Sequence, residues 1–325
     1  VLIDTQNLPD VTRTTFLADR DDLVAGAREF ANATRSPNTL RAYRSDWADF
    51  TAWTQSHGVE ALPASPAVVV LYITDLANRV KPGTITRRLA AISVAHQREG
   101  LQSPTTDPAV CEVSRGIRRT MGTAVDQAAP ATIGDVRKMV ACLPDTITGL
   151  RDRVALLVGF AGALRRSELV GLDIEDLTRR DEGMTAVVRR SKSDQEAAGR
   201  KIALPFGTDE HTCPVRAIDA WLNVGGIETG PLLRSIDRHG NVGESRLSGQ
   251  SVTAIIRSAA TRAGLDASRY SGHSLRAGFA TTAAAAGASE RQIAAQTGHR
   301  SMEVLRRYVR HGSIFSDNAV GRLGL

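Results

Sequence analysis

The sequence predicts a mainly α-helical protein of two domains, with a small β-hairpin or sheet inside the second. Three observations predict it. The 325 residues are 42% hydrophobic, a length and apolar content that suit two compact domains. Through residue 122, apolar-periodic stretches open at capping residues, often followed by proline, and close at glycine or proline. Beyond residue 132 the helical pattern returns, interrupted by two β-like segments, Thr185 to Arg190 and Arg200 to Leu204, around a polar loop containing glycine.

In chain order, a weaker helix is expected between Asp19 and Ala33. Ser36-Pro37 then caps and starts a helix that places Leu40, Tyr43, Trp47 and Phe50 on one face and ends at Gly58. Ser65-Pro66 starts another, through Val68, Leu71, Tyr72 and Leu76. A third follows Pro82-Gly83, from about Thr84 to Gly100, with Ile85, Leu89 and Ile92 inside. The fourth begins at Asp107-Pro108 and reaches Gly122, with Arg115, Arg118 and Arg119 within reach of one another. Residues 123–131 lack strong periodicity and hold a proline, so they are read as a linker between a domain of residues 1–122 and one of residues 132–325. In the second domain the apolar run from Val154 to Leu164, flanked by Arg153 and Arg165, reads as a buried helix. It is about half the length a membrane crossing needs. Ser289 and Gln292 offer a capping box, and Gly298 a stop.

Composition narrows the function. Cys111, Cys142 and Cys213 form neither a disulfide framework nor a zinc pattern, and the pair His211 and Cys213 has no second pair of ligands, so no metal is expected. The first residues, with Asp4, Asp10 and Asp19, do not resemble a secretory signal, which leads to a cytoplasmic expectation. Net charge is +6, and it is unevenly placed. Residues 1–131 hold 14 basic against 14 acidic residues, and residues 132–325 hold 27 against 21. Such a balance favours an acidic partner without identifying it.

Four segments of the second domain carry polar residues that a phosphodiester-cleaving site needs. Ala163-Leu-Arg-Arg-Ser-Glu-Leu169 sets Arg165 directly after an apolar helix. Gly272-His-Ser-Leu-Arg276 sets His273 and Arg276 three residues apart, on one face if helical. Thr297-Gly-His299 presents a histidine just beyond a helix end, and Leu305-Arg-Arg-Tyr308 places a tyrosine nine residues after it. Ser191-Lys192-Ser193 lies where the expected hairpin turns. Taken singly, each has an ordinary explanation as a helix-end pair, a surface pair, a packed tyrosine or a solvated lysine.

Taken in order, Arg165, Lys192, His273, Arg276, His299 and Tyr308 resemble the signature of the tyrosine recombinases, also called the phage integrase family. The likeness covers nearly the whole chain, and in length and layout it is similar to the Cre-type members. Arg166 departs from the family, which often has an apolar residue there. The lysine position varies with hairpin length, so Lys201 and Arg190 compete with Lys192. The resemblance implies a helical core-binding DNA-binding domain and a catalytic domain closing on the duplex as a C-shaped clamp. It also implies a C-terminal exchange helix at about 311–325, carrying Ile314, Phe315, Val320 and Leu323, that docks in a neighbouring subunit.

The chemistry explains why these residue types are needed. Guanidinium groups such as those of Arg165 and Arg276 can grip two phosphate oxygens as negative charge builds in the transition state. A tyrosine hydroxyl with an ordinary pKa of about 10 must lose its proton as it attacks. His273 is the expected acceptor and Lys192 the expected general acid for the leaving 5′-oxygen. His299 would bond the scissile phosphate or hold the tyrosine, and Glu168 would orient Arg165 or Lys192. Because attack by Tyr308 conserves the phosphodiester energy in a 3′-phosphotyrosine, no metal or ATP cofactor is expected, and no phosphate-binding Gly-x-x-x-x-Gly-Lys loop is present.

The expected partners are double-stranded DNA with an inverted-repeat target site and three further copies of the chain, forming a homotetramer on two sites that exchanges strands through a Holliday junction. No membrane partner is expected. Arg41, Arg44, Arg87, Arg88, Arg115, Arg118 and Arg119 are the candidates for phosphate contacts, with Thr86 to Arg88 also candidates for base reading. Two alternatives remain at this stage: a type IB topoisomerase with a similar site, and a catalytically silent DNA-binding protein on the same fold.

Overall fold

In the computed structural model the described residues are 26, 34–123, 128–189, 199–299, 301–303 and 305–306. The chain divides into two compact units, Val1–Asp126 and Gln127–Leu325, and the junction falls inside the segment 123–131. The helix expected between Asp19 and Ala33 lies, Gly26 apart, outside the described residues, as does the segment 311–325.

The first unit is helical: α1 (Pro37–Ser56), α2 (Pro66–Ala77), α3 (Pro82–Arg98) and α4 (Pro108–Met121). Each starts with proline at a position whose N–H needs no partner. The Ser36, Ser65 and Asp107 side chains accept from backbone N–H groups of the first turn of α1, α2 and α4. The core is Phe50, Val69, Tyr72, Ile73, Leu76, Ile85, Ile92 and Val110. Phe50 meets Tyr72 edge-on at 4.9 Å between ring centroids. Leu71, among the apolar residues of α2, is 62% exposed. The apolar run Val68 to Leu76 is nearly continuous, so sequence alone could not say which side faces in. Buried His96 ties α3 to the loop before α2, its Nε2 accepting from Ala64 N–H at 2.9 Å and its Nδ1 lying 2.8 Å from the Ile92 carbonyl.

The second unit is built around α6 (Ile147–Ala161), whose residues from Val154 to Phe160 are all buried, as the uninterrupted apolar run requires. Packed about it are α5 (Ile133–Ala141), α7 (Arg166–Gly171), α8 (Pro214–Gly225), α9 (Gly249–Arg262) and α10 (Ser274–Ala285), followed by α11 (Glu290–Thr297). The expected hairpin is present as β2 (Gly183–Val188) and β3 (Arg200–Pro205), antiparallel with Val188 opposite Arg200. A strand the sequence did not reveal, β1 (Leu177–Arg180), pairs with β2 and makes a three-stranded sheet. A second two-stranded sheet, β4 (Arg234–Ile236) and β5 (Val242–Arg246), was also not foreseen. Its strands are short and carry no apolar alternation of their own, with partly buried or exposed residues throughout. The capping box at Ser289 and Gln292 and the left-handed stop at Gly298 (φ +65°) are as expected.

Two close approaches fix α10, the helix that carries Arg276. A side-chain carbon at Gly159 of α6 would come within 2.7 Å of Leu275 Cδ1, and one at Gly278 would lie 1.7 Å from the backbone oxygen of Ala131. Glycine at 278 therefore lets the strap at residue 131 lie directly on α10. Gly278→Ala is expected to destabilise the protein by roughly 3 kcal/mol, because backbone rather than a flexible side chain must yield. A urea denaturation midpoint unchanged from wild type would refute this.

Candidate functional site

The site is assembled where α6 ends. Ala163, fully buried, takes a left-handed conformation (φ +48°) that a residue with a side chain rarely adopts. It turns the chain between α6 and α7, and its carbonyl accepts from Arg276 Nη1 at 2.8 Å. Arg276, 1% exposed, reaches that carbonyl from the first turn of α10. The bond fixes the guanidinium through a neutral acceptor, so it does not cancel the charge.

Arg165 follows at the N-cap of α7. Glu168, 2% exposed, holds it twice: Arg165 N–H donates to Oε2 at 3.1 Å and Arg165 Nη1 to Oε1 at 2.5 Å. A third donor, Arg200 Nη2, reaches Oε2 at 3.0 Å from the start of β3. Burial alone would push the Glu168 carboxyl up. The backbone N–H and guanidinium of Arg165, with the charge of Arg200, outweigh it and hold the group below its usual range.

His273 stands at the N-cap of α10, one turn before Arg276, its backbone N–H donating to Ser271 Oγ at 3.2 Å. The residue stays open to solvent on one side. Desolvation on the other side, then the charges of Arg276 and Arg165, lower its pKa. His299 lies just past Gly298. Desolvation, followed by Arg276, Arg165, His273 and Arg200, lowers it to about 4. Both imidazoles are therefore neutral at physiological pH. The Thr297 hydroxyl lies 2.8 Å from the Ile293 carbonyl and 2.7 Å from His299 Nδ1, so it ties the imidazole to the end of α11.

The structure thus brings together Arg165, Glu168, His273, Arg276 and His299, drawn from three separated segments. Lys192, Arg190 and Tyr308 lie outside the described residues. Lys201, the remaining alternative to Lys192, is exposed on the outward face of β3, opposite the face of Arg200, Ile202 and Leu204. Sequence reasoning missed Arg200, the Thr297 hydroxyl and the Ala163 carbonyl. For Arg200 there was a signal: it shares the period-two register of the buried Ile202 and Leu204. Among the described residues no group of three or more His, Cys, Asp or Glu is placed to hold a metal ion.

In the first unit, Arg41, Arg44, Thr86, Arg115, Arg118 and Arg119 are exposed. Arg41 donates to Asn38 Oδ1 at 2.9 Å, Arg115 to its own helix at the Cys111 carbonyl, and the Thr86 hydroxyl to the Pro82 carbonyl. Arg87 grips both oxygens of buried Asp46, at 2.7 and 2.9 Å, while half its side chain stays open. Arg88 is ion-paired to Asp49, donates to the Tyr72 hydroxyl at 3.1 Å and keeps 14% of its side chain exposed, so it braces α3 against α1 and α2.

Comparison with known proteins follows the same division of the chain. Residues 132–313 match the model of the phage integrase family, and residues 30–98 match that of the phage integrase N-terminal SAM-like domain. An integrase/recombinase XerD homologue of Selenomonas ruminantium is 39% identical over 94% of this chain and 91% of its own length. A tyrosine recombinase XerC of Pelobacter propionicus is 29% identical over 84% of each. The recombinase Cre of Escherichia phage P1 is 26% identical over 68% of this chain and 65% of its own, so a Cre-type layout in particular is not singled out. Among solved structures, the Tn1549 transposon integrase in complex with transposon right-end DNA covers 92% of this chain and 98% of that one, with a TM-score of 0.61 at 14% identity. A λ integrase dimer bound to a COC′ core site covers 87% and 92%, with a TM-score of 0.60 at 17% identity. At these identities the likeness is one of fold.

Two outcomes are expected from the site's electrostatics. Removing Glu168 (Glu168→Ala) leaves two half-buried guanidiniums facing each other and should cost about 3 kcal/mol, read as a lowered urea midpoint. In the DNA-free protein, NMR titration should keep the His299 ring neutral until about pH 4. The unfolded chain takes up that proton near 6.5, so it binds more protons than the folded chain as pH falls from 6.5 towards 4, and stability falls with it. His299→Gln should flatten that slope. A His299 resonance titrating near 6.5 would contradict the desolvation and positive field described here.

Proposed function

The chain belongs to the phage integrase family, the tyrosine recombinases, which break and rejoin DNA strands, and from that premise we propose that it is a site-specific recombinase acting through Tyr308. In this proposal the Tyr308 oxygen attacks the scissile phosphorus, the bond to the 5′-oxygen breaks, and a 3′-phosphotyrosine forms. The tyrosine proton passes to His273, and Lys192 protonates the leaving 5′-oxygen. Rejoining runs the same steps backwards with a 5′-hydroxyl from the partner strand. One phosphodiester is exchanged for another, so the scheme needs neither ATP nor a metal ion.

The observation that carries this proposal is the pairing of two held guanidiniums, Arg165 and Arg276, with two imidazoles kept neutral by desolvation and by those charges. Positive charge that one carboxylate cannot cancel suits a phosphodiester gaining negative charge in its transition state. A neutral His273 can accept a proton, as a base must. His299, tied to Thr297 through Nδ1, would bond the scissile phosphate or hold the tyrosine. Exposed Arg41, Arg44, Arg115, Arg118 and Arg119, with the open side of Arg87, would contact phosphates, and Thr86 with Arg87 would face the bases.

The finer features follow the family: an inverted-repeat site, a homotetramer on two duplexes, a Holliday junction between paired strand exchanges, and a tail at 311–325 that docks in a neighbouring subunit. Such an enzyme would act in the cytoplasm, on the cell's DNA.

The test is to mix the protein with fragmented DNA from its source, denature with detergent and sequence the DNA that stays bound. Adducts sharing an inverted repeat, absent with Tyr308→Phe, are expected. Arg165→Ala and Arg276→Ala should each lower adduct formation by about a hundredfold or more. Adducts at unrelated, dispersed sequences would point to a topoisomerase instead, and specific DNA retention without any adduct to a silent binding protein.

A further inference from the structure

Arg200 does more than supply charge. It is the residue at which β3 begins, paired in register with Val188. Its guanidinium lies on the inner face of the sheet with 19% of the side chain exposed. Two of its nitrogens have separate acceptors on separate elements. Nη2 donates to Glu168 Oε2 at 3.0 Å on α7, and Nη1 to the Gln296 carbonyl at 2.6 Å near the end of α11. The flat group passes so close to the turn after α11 that a side-chain carbon at Gly298 would lie 2.8 Å from Arg200 Nε. Gly298 is thus required twice, by its left-handed backbone and by this approach. The Gln296 side chain completes the join, donating from Nε2 to the carbonyls of Ala161 at 2.8 Å and Ala203 at 2.9 Å. The end of α6, the strand β3 and the end of α11 are therefore held together at one point.

We propose that Arg200 is a positioning residue for DNA cleavage: by joining Glu168, and through it Arg165, to the backbone at Gln296, it fixes the arginine grip and the Thr297–Gly298–His299 corner in one mutual register. The proposal rests on the cleavage chemistry described above and adds a residue outside the signature set. Its physical basis is the rigid fork of arginine, which spans two acceptors in fixed directions where a lysine ammonium serves as a point charge. Arg200 also contributes to the positive field at His299. Loss of the fork would let α11 and the turn carrying His299 shift against Arg165, and small misplacements of reacting groups carry large rate penalties.

The test compares full-length wild type with Arg200→Gln and Arg200→Lys, using fragmented source DNA as the probe. Three quantities are read: the rate of detergent-resistant adduct formation, filter retention of DNA before denaturation, and the NMR titration of His299. Arg200→Gln is expected to keep its fold and DNA retention, to lose adduct rate by about ten- to a hundredfold, and to titrate His299 at higher pH. Arg200→Lys restores the charge, so the His299 titration returns towards wild type, while the adduct rate stays depressed because the fork is missing. A merely structural residue would lower the melting temperature without separating charge from rate in this way. An adduct rate for Arg200→Gln equal to wild type, or restored fully by lysine, overturns the proposal while leaving the cleavage chemistry standing. If both variants fail to fold, Arg200 is structural and the proposal falls. If wild type itself forms no adduct, the cleavage chemistry fails first and takes the proposal with it.

Discussion

The organisation of the site depends on one buried carboxylate. Glu168 accepts from the backbone and guanidinium of Arg165 and from the guanidinium of Arg200, with almost no access to water. Burying a charge is expensive unless it is paired and fully hydrogen-bonded, and three donors meet that cost here. The consequence is mechanical. An arginine that would otherwise sample many rotamers at the mouth of a short helix is held at both its backbone and its side chain. Arg276 is restrained from the opposite side by a carbonyl that faces it because Ala163 takes a left-handed turn.

The same arrangement sets the protonation of the site. One carboxylate shared between two guanidiniums leaves net positive charge, and together with desolvation that charge keeps His273 and His299 neutral at physiological pH. A phosphate entering such a site would meet prepaid electrostatic stabilisation, since the positive groups are fixed before it arrives. It would also offset the field on the imidazoles, so that proton affinity rises when a negative group is present to need it. Charge, position and proton transfer are thereby linked through few residues.

In the first unit, acidic residues restrain arginines differently. Asp46 and Asp49 take up Arg87 and Arg88 on α3, and the Tyr72 hydroxyl joins the Arg88 pair. Arg88 is thereby turned into a brace, while Arg87 keeps an open side. Neighbouring arginines on one helix can therefore serve different ends, decided by a rotation of about 100° per residue around the helix.

The sequence by itself determined a good deal. Prolines after capping residues located α1, α2 and α4, an unbroken apolar run announced α6, and Ser289, Gln292 and Gly298 bounded α11, because these signals act through local backbone geometry. Arg165, His273, Arg276 and His299 were joined into one site by their resemblance, in order and spacing, to the signature of the tyrosine recombinases. Only the tertiary structure decided which side of α2 is buried, that β1, β4 and β5 form strands, and that Arg200 and the Ala163 carbonyl belong to the site. Each of these depends on what packs opposite from distant sequence. A strand without apolar alternation is made by its partner, and an arginine's partner can lie 96 residues away, as Gln296 does from Arg200.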